Sequence, residues 1–171
     1  MIISKTFHLI VNPVSVNNAY YKRNKQYNQL AREYRAIFLN QLNSTKNRAN
    51  LTELCNKFDK QGHSLHMDFQ WFIPSPLYFT KKGYISRKSK DVDNLLKLPI
   101  DFLTQDKYGS SFLSTLSATE LKLYSVNHVQ NLGIDDQFIN KLTISKFPHS
   151  LTTWQLKLII SIHDLPTNEY N

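Results

Sequence analysis

The chain has 171 residues, 41% of them hydrophobic, with 21 Lys and Arg against 13 Asp and Glu and a formal charge of +8 at pH 7. That length fits one domain with a real core, and the surplus of bases points to a polyanionic partner. No stretch approaches the roughly eighteen consecutive apolar residues of a membrane helix, and four glycines without a G-x-x-x-x-G-K-[ST] loop argue against ATP-driven chemistry.

Ile3, Phe7, Leu9 and Val11 alternate or nearly so with polar residues and predict a first strand. Pro13, Val14, Ser15, Val16 and Asn17 follow, then the bases Lys22, Arg23 and Lys25. From about Lys25, Tyr27, Leu30, Tyr34, Ile37, Phe38 and Leu42 recur at helical spacing, while Lys25, Arg32 and Arg35 share a different face. The spacing predicts an amphipathic helix with a basic outside. The polar interval 43–50 ends it, and Asn50 with Glu53 predicts a shorter helix carrying Leu51, Leu54, Cys55 and Phe58. Leu65, Met67, Phe69, Trp71 and Ile73 alternate strictly, a half-buried strand closed by Pro74, Ser75 and Pro76.

An acid-free basic run comes next, Lys81, Lys82, Arg87, Lys88 and Lys90, directly before Asp91. From Asn94 the pattern turns helical through Leu95, Leu96, Ile100, Phe102 and Leu103, with Asp93 placed as the N-cap and Pro99 expected to kink the helix. Residues 104–119 are rich in Ser, Thr, Gln and Asp and read as an inserted loop. Ser117 and Glu120 form a capping-box pattern ahead of Leu121, Tyr124, His128 and Leu132, and Gly133 suits the end of that helix. Two strands close the chain, one over 138–147 and one through Trp154, Leu156, Leu158, Ile160 and Ile162. The expected architecture is a single mixed α/β (α+β) domain over 1–171, a mixed four-stranded sheet packed by helices, with a loop and helix inserted at about 104–133.

Two acidic groups stand out in a chain poor in acids: Asp91 with Asp93, and Asp135 with Asp136. Hard divalent cations take carboxylate oxygens, and magnesium at such a site would orient a phosphate and activate a water. In an extended segment Asp91 and Asp93 aim to one side. Lys97 and Asp101 follow Asp93 at i+4 and i+8, which predicts a shared helical face, and Lys97 is placed to neutralise charge developing on a phosphate. Basic segments flanking the carboxylates suit a phosphate backbone. Tyr78, Phe79 and Tyr84 border the run and are candidates to stack on unpaired bases. His63 and His66 with Cys55 fall short of four convergent zinc ligands, and Cys55 lacks a nucleophile signature.

The pattern Asp91-x-Asp93-Asn94-Leu95-x-Lys97-x-x-x-Asp101, followed by Asp135-Asp136 leading into a strand, resembles the RusA-type Holliday-junction resolvases, small homodimeric endonucleases encoded largely by phages and prophages. Pro13-x-Ser15-x-Asn17 with Tyr20 or Tyr21 is similar to that family's N-terminal P-x-S-x-N motif. The resemblance implies that Asp91, Asp93 and one of Asp135 or Asp136 bind magnesium, or manganese in its place. Asp136 is favoured, because Ile139 then aligns with the family's apolar strand residue. It also implies that Lys97 is a catalytic partner supported by Asp101 and Asn17, and that a homodimer hydrolyses four-way or branched DNA. Lys81, Lys82, Arg87, Lys88 and Lys90, with Lys22, Arg23 and Lys25, would contact the backbone. The chain departs from the family where Gln137 directly follows Asp136, at Pro99, and in the long stretch from Asp101 to Asp135. Those departures define two alternatives: a branched-DNA-binding protein without cleavage, or a phage structural protein whose 104–133 segment meets a partner. A single cysteine and a start without a basic-then-apolar leader predict cytoplasmic residence.

Overall fold

Alternating strands build one mixed sheet in the order β1, β4, β2, β3, where β1 is Ile3–Ile10, β2 His63–Pro74, β3 Ile139–His149 and β4 Gln155–Asp164. The computed structural model describes residues 1–19, 27–104 and 112–165. Strand β4 runs antiparallel to both β1 and β2, while β3 lies parallel to β2. Three strands therefore finish at one end of the sheet, the closing end, and start at the other, the opening end.

The period-two pattern sends Phe7, Leu9, Leu65, Met67, Phe69, Trp71, Ile73, Leu156, Leu158, Ile160 and Ile162 to one buried face. Register aligns them in rows. Met67 lies between Ile160 and Leu142, and Phe69 between Leu158 and Ile144. Three helices cover this face: α1 (Gln29–Leu42), α2 (Thr45–Lys57) and α4 (Val92–Thr104), which join the strand residues in one core through Tyr34, Phe38, Leu42, Leu51, Leu54, Leu95, Leu98 and Phe102. Phe102 sits at its centre, edge-on to Tyr34 at 5.4 Å and near Phe38 at 5.6 Å. Each large side chain so buried contributes about 1.5–3 kcal/mol.

Helix α1 starts at Gln29, capped by Asn28, whose side chain accepts from the Ala31 amide at 3.0 Å. Its basic face is not solvated as expected. Arg32 and Arg35 reach Glu120 at 3.6 and 4.0 Å, and Arg35 lies over Tyr27 and Phe112. Helix α2 begins at Thr45, five residues before the predicted start, because the chain turns sharply at Ser44 and the polar stretch becomes the helix's outer turns. Helix α4 continues through the buried Pro99, which withholds one backbone donor without ending it.

The helix predicted after Ser117 is only one turn, α5 (Ala118–Leu121), although its capping box forms. Side chains at the C-terminal end of α1 and its cap explain where it stops. Asn40 donates to Leu123 O at 2.7 Å and accepts from Ser125 N at 3.1 Å, and Asn43 does the same for Gln130 O and N at 2.8 Å each. These bonds claim the backbone groups that a continuing helix would need. Residues 105–111 of the predicted insertion lie outside the described residues. Among the described residues no helix is long and apolar enough to cross a membrane.

Candidate functional site

Because β1 and β2 run the same way, the segments that leave them emerge together at the closing end. Strand β1 leads into Pro13 and Ser15, then a 3-10 turn at Val16–Asn18; β2 leads through α3 (Ser75–Tyr78) to the basic run and the start of α4. Ser15 Oγ donates to Asn94 Oδ1 at 2.8 Å, so two motifs 79 positions apart are in contact. The Asn17 side chain lies outside the described residues, as do Lys22, Arg23 and Lys25.

The basic run is a small hairpin. A bridge pairs Phe79 with Ile85, and Gly83 supplies the turn with φ +80°, a conformation that L side chains resist. Its tip exposes Lys81, Lys82 and Tyr84, the last 71% accessible. Arg87 and Lys88 are exposed on the 3-10 turn Arg87–Ser89, where Ser86 Oγ accepts from the Lys88 amide at 3.1 Å. Tyr78 instead packs against the core, leaving Tyr84 as the most accessible of the three aromatic candidates.

Lys90 differs from its basic neighbours. It is half-buried, which lowers its ammonium pKa, and its backbone is held at φ 60° and ψ 153°. That geometry costs a non-glycine residue on the order of 1–3 kcal/mol and persists only where surroundings enforce it. Two neighbours hold it: Lys90 N donates to Arg87 O at 3.2 Å, and Lys146 Nζ donates to Lys90 O at 3.0 Å and to the buried Ser89 Oγ at 3.4 Å. Sequence reasoning missed Lys146. The available signal was a lysine on the inward face of β3, two positions after Ile144 and level with Trp71.

Helix α4 begins at Val92, so Asp93 lies within its first turn and not at the cap. A carboxylate there is favoured by the helix dipole. Asp91, Asp93 and Lys97 are all exposed. Asp101 is buried, 7% accessible. Eight positions at about 100° each leave it roughly 80° round from Asp93, enough to turn it toward the core.

Asp135 and Asp136 are exposed at the opposite end of the sheet, where the 3-10 turn Asp136–Phe138 leads into the start of β3. Asp135 Oδ1 accepts from Gln137 N at 3.1 Å. Helix α4 runs from the closing end back to this opening end, where Leu132 N donates to Leu103 O at 3.0 Å. Lys146, beside Lys90, is seven residues along β3 from Ile139, about 23 Å. Among the described residues no three His, Cys, Asp or Glu side chains converge on a possible metal position. Asp91 and Asp93 suit magnesium, which takes one or two carboxylates and completes its shell with phosphate and water. The three-carboxylate set implied by the resemblance does not assemble within one chain.

The remaining candidates have structural partners. His66 stacks on His163 at 3.7 Å on the sheet face away from the helices; burial, slight at both rings, and the nearby Lys141 lower both pKa values, joined for His66 by the charge of its neighbour His163 and opposed for His163 by Asp164. Cys55 is a half-buried α2 residue whose Sγ donates to Leu132 O at 3.4 Å, and burial raises its pKa. No protein-family model matches the chain, and a search of curated proteins finds no match.

Proposed function

We propose that this protein is a magnesium-dependent endonuclease acting on four-way or branched DNA in the cytoplasm, with Asp91 and Asp93 as the metal ligands of the closing end. The observation that carries the reading is the Ser15 to Asn94 hydrogen bond. It joins the P-x-S-x-N and D-x-D-N segments at the end where Lys81, Lys82, Arg87 and Lys88 stand exposed beside Asp91 and Asp93. Bound magnesium would supply charge neutralisation and an activated water. The chain's own contribution is to hold the phosphate backbone along the hairpin and to present Lys97 one helical turn from Asp93. A two-fold dimer would offer equivalent sites to the symmetry-related strands of a junction.

The test incubates purified protein with a four-way junction and with linear duplex, with and without magnesium. Junction cutting that needs the metal is expected, and Asp93→Asn should abolish it while junction binding persists, since an amide keeps the shape and removes the charge that a hard cation requires. A variant that cuts at the parent rate would refute the metal assignment. A second reading, junction binding without cleavage, draws on the separation of Asp136 from Asp91. It predicts binding with no cutting in magnesium or manganese.

A further inference from the structure

Strand pairing sets the outward side chains of the sheet, those facing away from the helices, in rows. At the closing end Ile10, Gln155, Phe72 and Phe147 stand side by side across β1, β4, β2 and β3, and the next row is His8, Lys157, Gln70 and Ser145. All of them keep access to solvent, whereas Leu9, Leu156 and Trp71 between the rows are buried on the other face. Two of these outward residues are phenyl rings. Phe72 and Phe147 stack at 5.3 Å with 25° between their planes, Phe147 is 41% accessible, and His149 stands edge-on to Phe72 at 6.5 Å. Phe147 takes the β3 side of Phe72. On the β4 side lies a hollow of about 450 Å³, lined by His8, Ile10, Gln41, Phe72, Gln155 and Lys157.

The lining describes what fits. Phe72 gives the hollow an aromatic wall for a flat ring, and Gln155 brings an amide that can both donate and accept. The Gln41 amide is already engaged, its Nε2 donating to Ile10 O and its Oε1 accepting from Ile10 N, both at 2.6 Å. Charge narrows the class further. Lys157 is the one formally charged residue of the two rows and has no ion pair among the described residues. The next acid along β2, Asp68, accepts from Gln70 Nε2 at 2.7 Å. A purely apolar partner would press against Lys157 without pairing it, whereas a nucleotide brings a flat base and an anion together.

We propose that this face is a stacking platform for an unpaired nucleic-acid strand, separate from the basic hairpin. One base enters the hollow against Phe72 with Gln155 at its edge, a second stacks on Phe147, and Lys157 neutralises a phosphate between them. Consecutive strand residues point to opposite faces, so Phe147 lies back to back with Lys146, which holds Lys90 just before Asp91. A strand on the platform would thus run behind the end that carries the hairpin. The platform does not rest on the endonuclease reading, which concerns the hairpin and α4.

Fluorescence anisotropy in EDTA tests it, with labelled oligo(dT) and oligo(U) of roughly ten nucleotides, a length within the range of known single-strand sites. At least one of the two should bind, the tighter one telling DNA from RNA. Phe72→Leu and Phe147→Leu keep apolar bulk but remove a ring, and each should weaken binding about 10-fold with an unchanged circular dichroism spectrum. The factor lost with Phe72→Leu should be the same when Lys81, Lys82 and Lys88 are Gln, and Lys157→Gln should flatten the logarithmic salt slope by about 0.7. Irradiation of the parent with a 5-iodouracil oligonucleotide should attach it at Phe72 or Phe147, a result that needs no variant to fold. Binding of neither strand, full affinity in both leucine variants, or attachment at Tyr84 of the hairpin alone overturns the platform. Junction cutting by the parent, or its absence, bears on the endonuclease reading and leaves these outcomes to decide the platform.

Discussion

Replacing Lys146 by Met keeps an unbranched stem on β3 but removes the ammonium that binds Lys90 O at 3.0 Å and Ser89 Oγ at 3.4 Å. A hydrogen bond from a charged donor contributes about 1.5–3 kcal/mol, and the longer one to Ser89 adds little. Removing a half-buried charge also returns part of its desolvation cost, on the order of 1 kcal/mol. The net loss is therefore about 0.5–2 kcal/mol. It should be read as a lower urea midpoint at unchanged denaturant slope, because the surface exposed on unfolding stays the same. The second effect is local. Lys90 is held at φ 60°, and without Lys146 it relaxes toward negative φ and carries Asp91 with it. Amide exchange at Ser89 and Lys90 should accelerate, and on the proposed function magnesium should bind the variant more weakly. An unchanged midpoint together with unchanged exchange at these two amides would refute the anchoring role.

Converting Lys81, Lys82 and Lys88 to Gln should weaken junction binding and flatten its logarithmic salt slope by up to about 0.9 for each phosphate that is no longer neutralised; an unaltered slope would make the hairpin an ordinary solvated loop. Burial alone would raise the Glu120 pKa, but hydrogen bonds from Ser117 and the charges of Arg32 and Arg35 outweigh it and hold the carboxyl below its usual 4.5. A depressed folded pKa stabilises above the unfolded value, so this contribution is full at neutral pH and is lost as pH falls from about 4.5 through the folded value. Glu120→Gln should accordingly unfold more easily than the parent at neutral pH, with the gap closing in acid, whereas a gap of constant size would place its origin elsewhere.

Much of the fold was legible because periodicity reports which face of an element is buried. The alternation from Leu65 to Ile73 and from Leu156 to Ile162 appears directly as the inward face of β2 and β4. Misreadings arose where a distant side chain decides the outcome. Leu121 to Leu132 has helical spacing, yet Asn40 and Asn43 take its backbone groups from 85 and 87 positions away. The start of α2 was misplaced because a polar run is neutral between loop and outer helical turn until the core beneath it is known.

Spacing along the chain also says nothing about which end of the sheet a residue reaches; topology supplies that. In a strand, helix, parallel-strand crossover the helix must run back against the strands. Its first turn therefore lies where β2 finishes, and whatever precedes β3 lies where β2 starts. Asp93 belongs to that first turn and Asp136 to the turn before β3, so the parallel pairing of β2 with β3 separates them within one chain. The same rule makes Ser15 a neighbour of Asn94. Strand β1 is antiparallel to β4, as β2 is, so β1 and β2 share a direction and their exits share an end. A search for acids close in sequence order finds both aspartate pairs, but only strand direction tells that the serine motif, much farther away along the chain, is the one that touches the Asp93 helix.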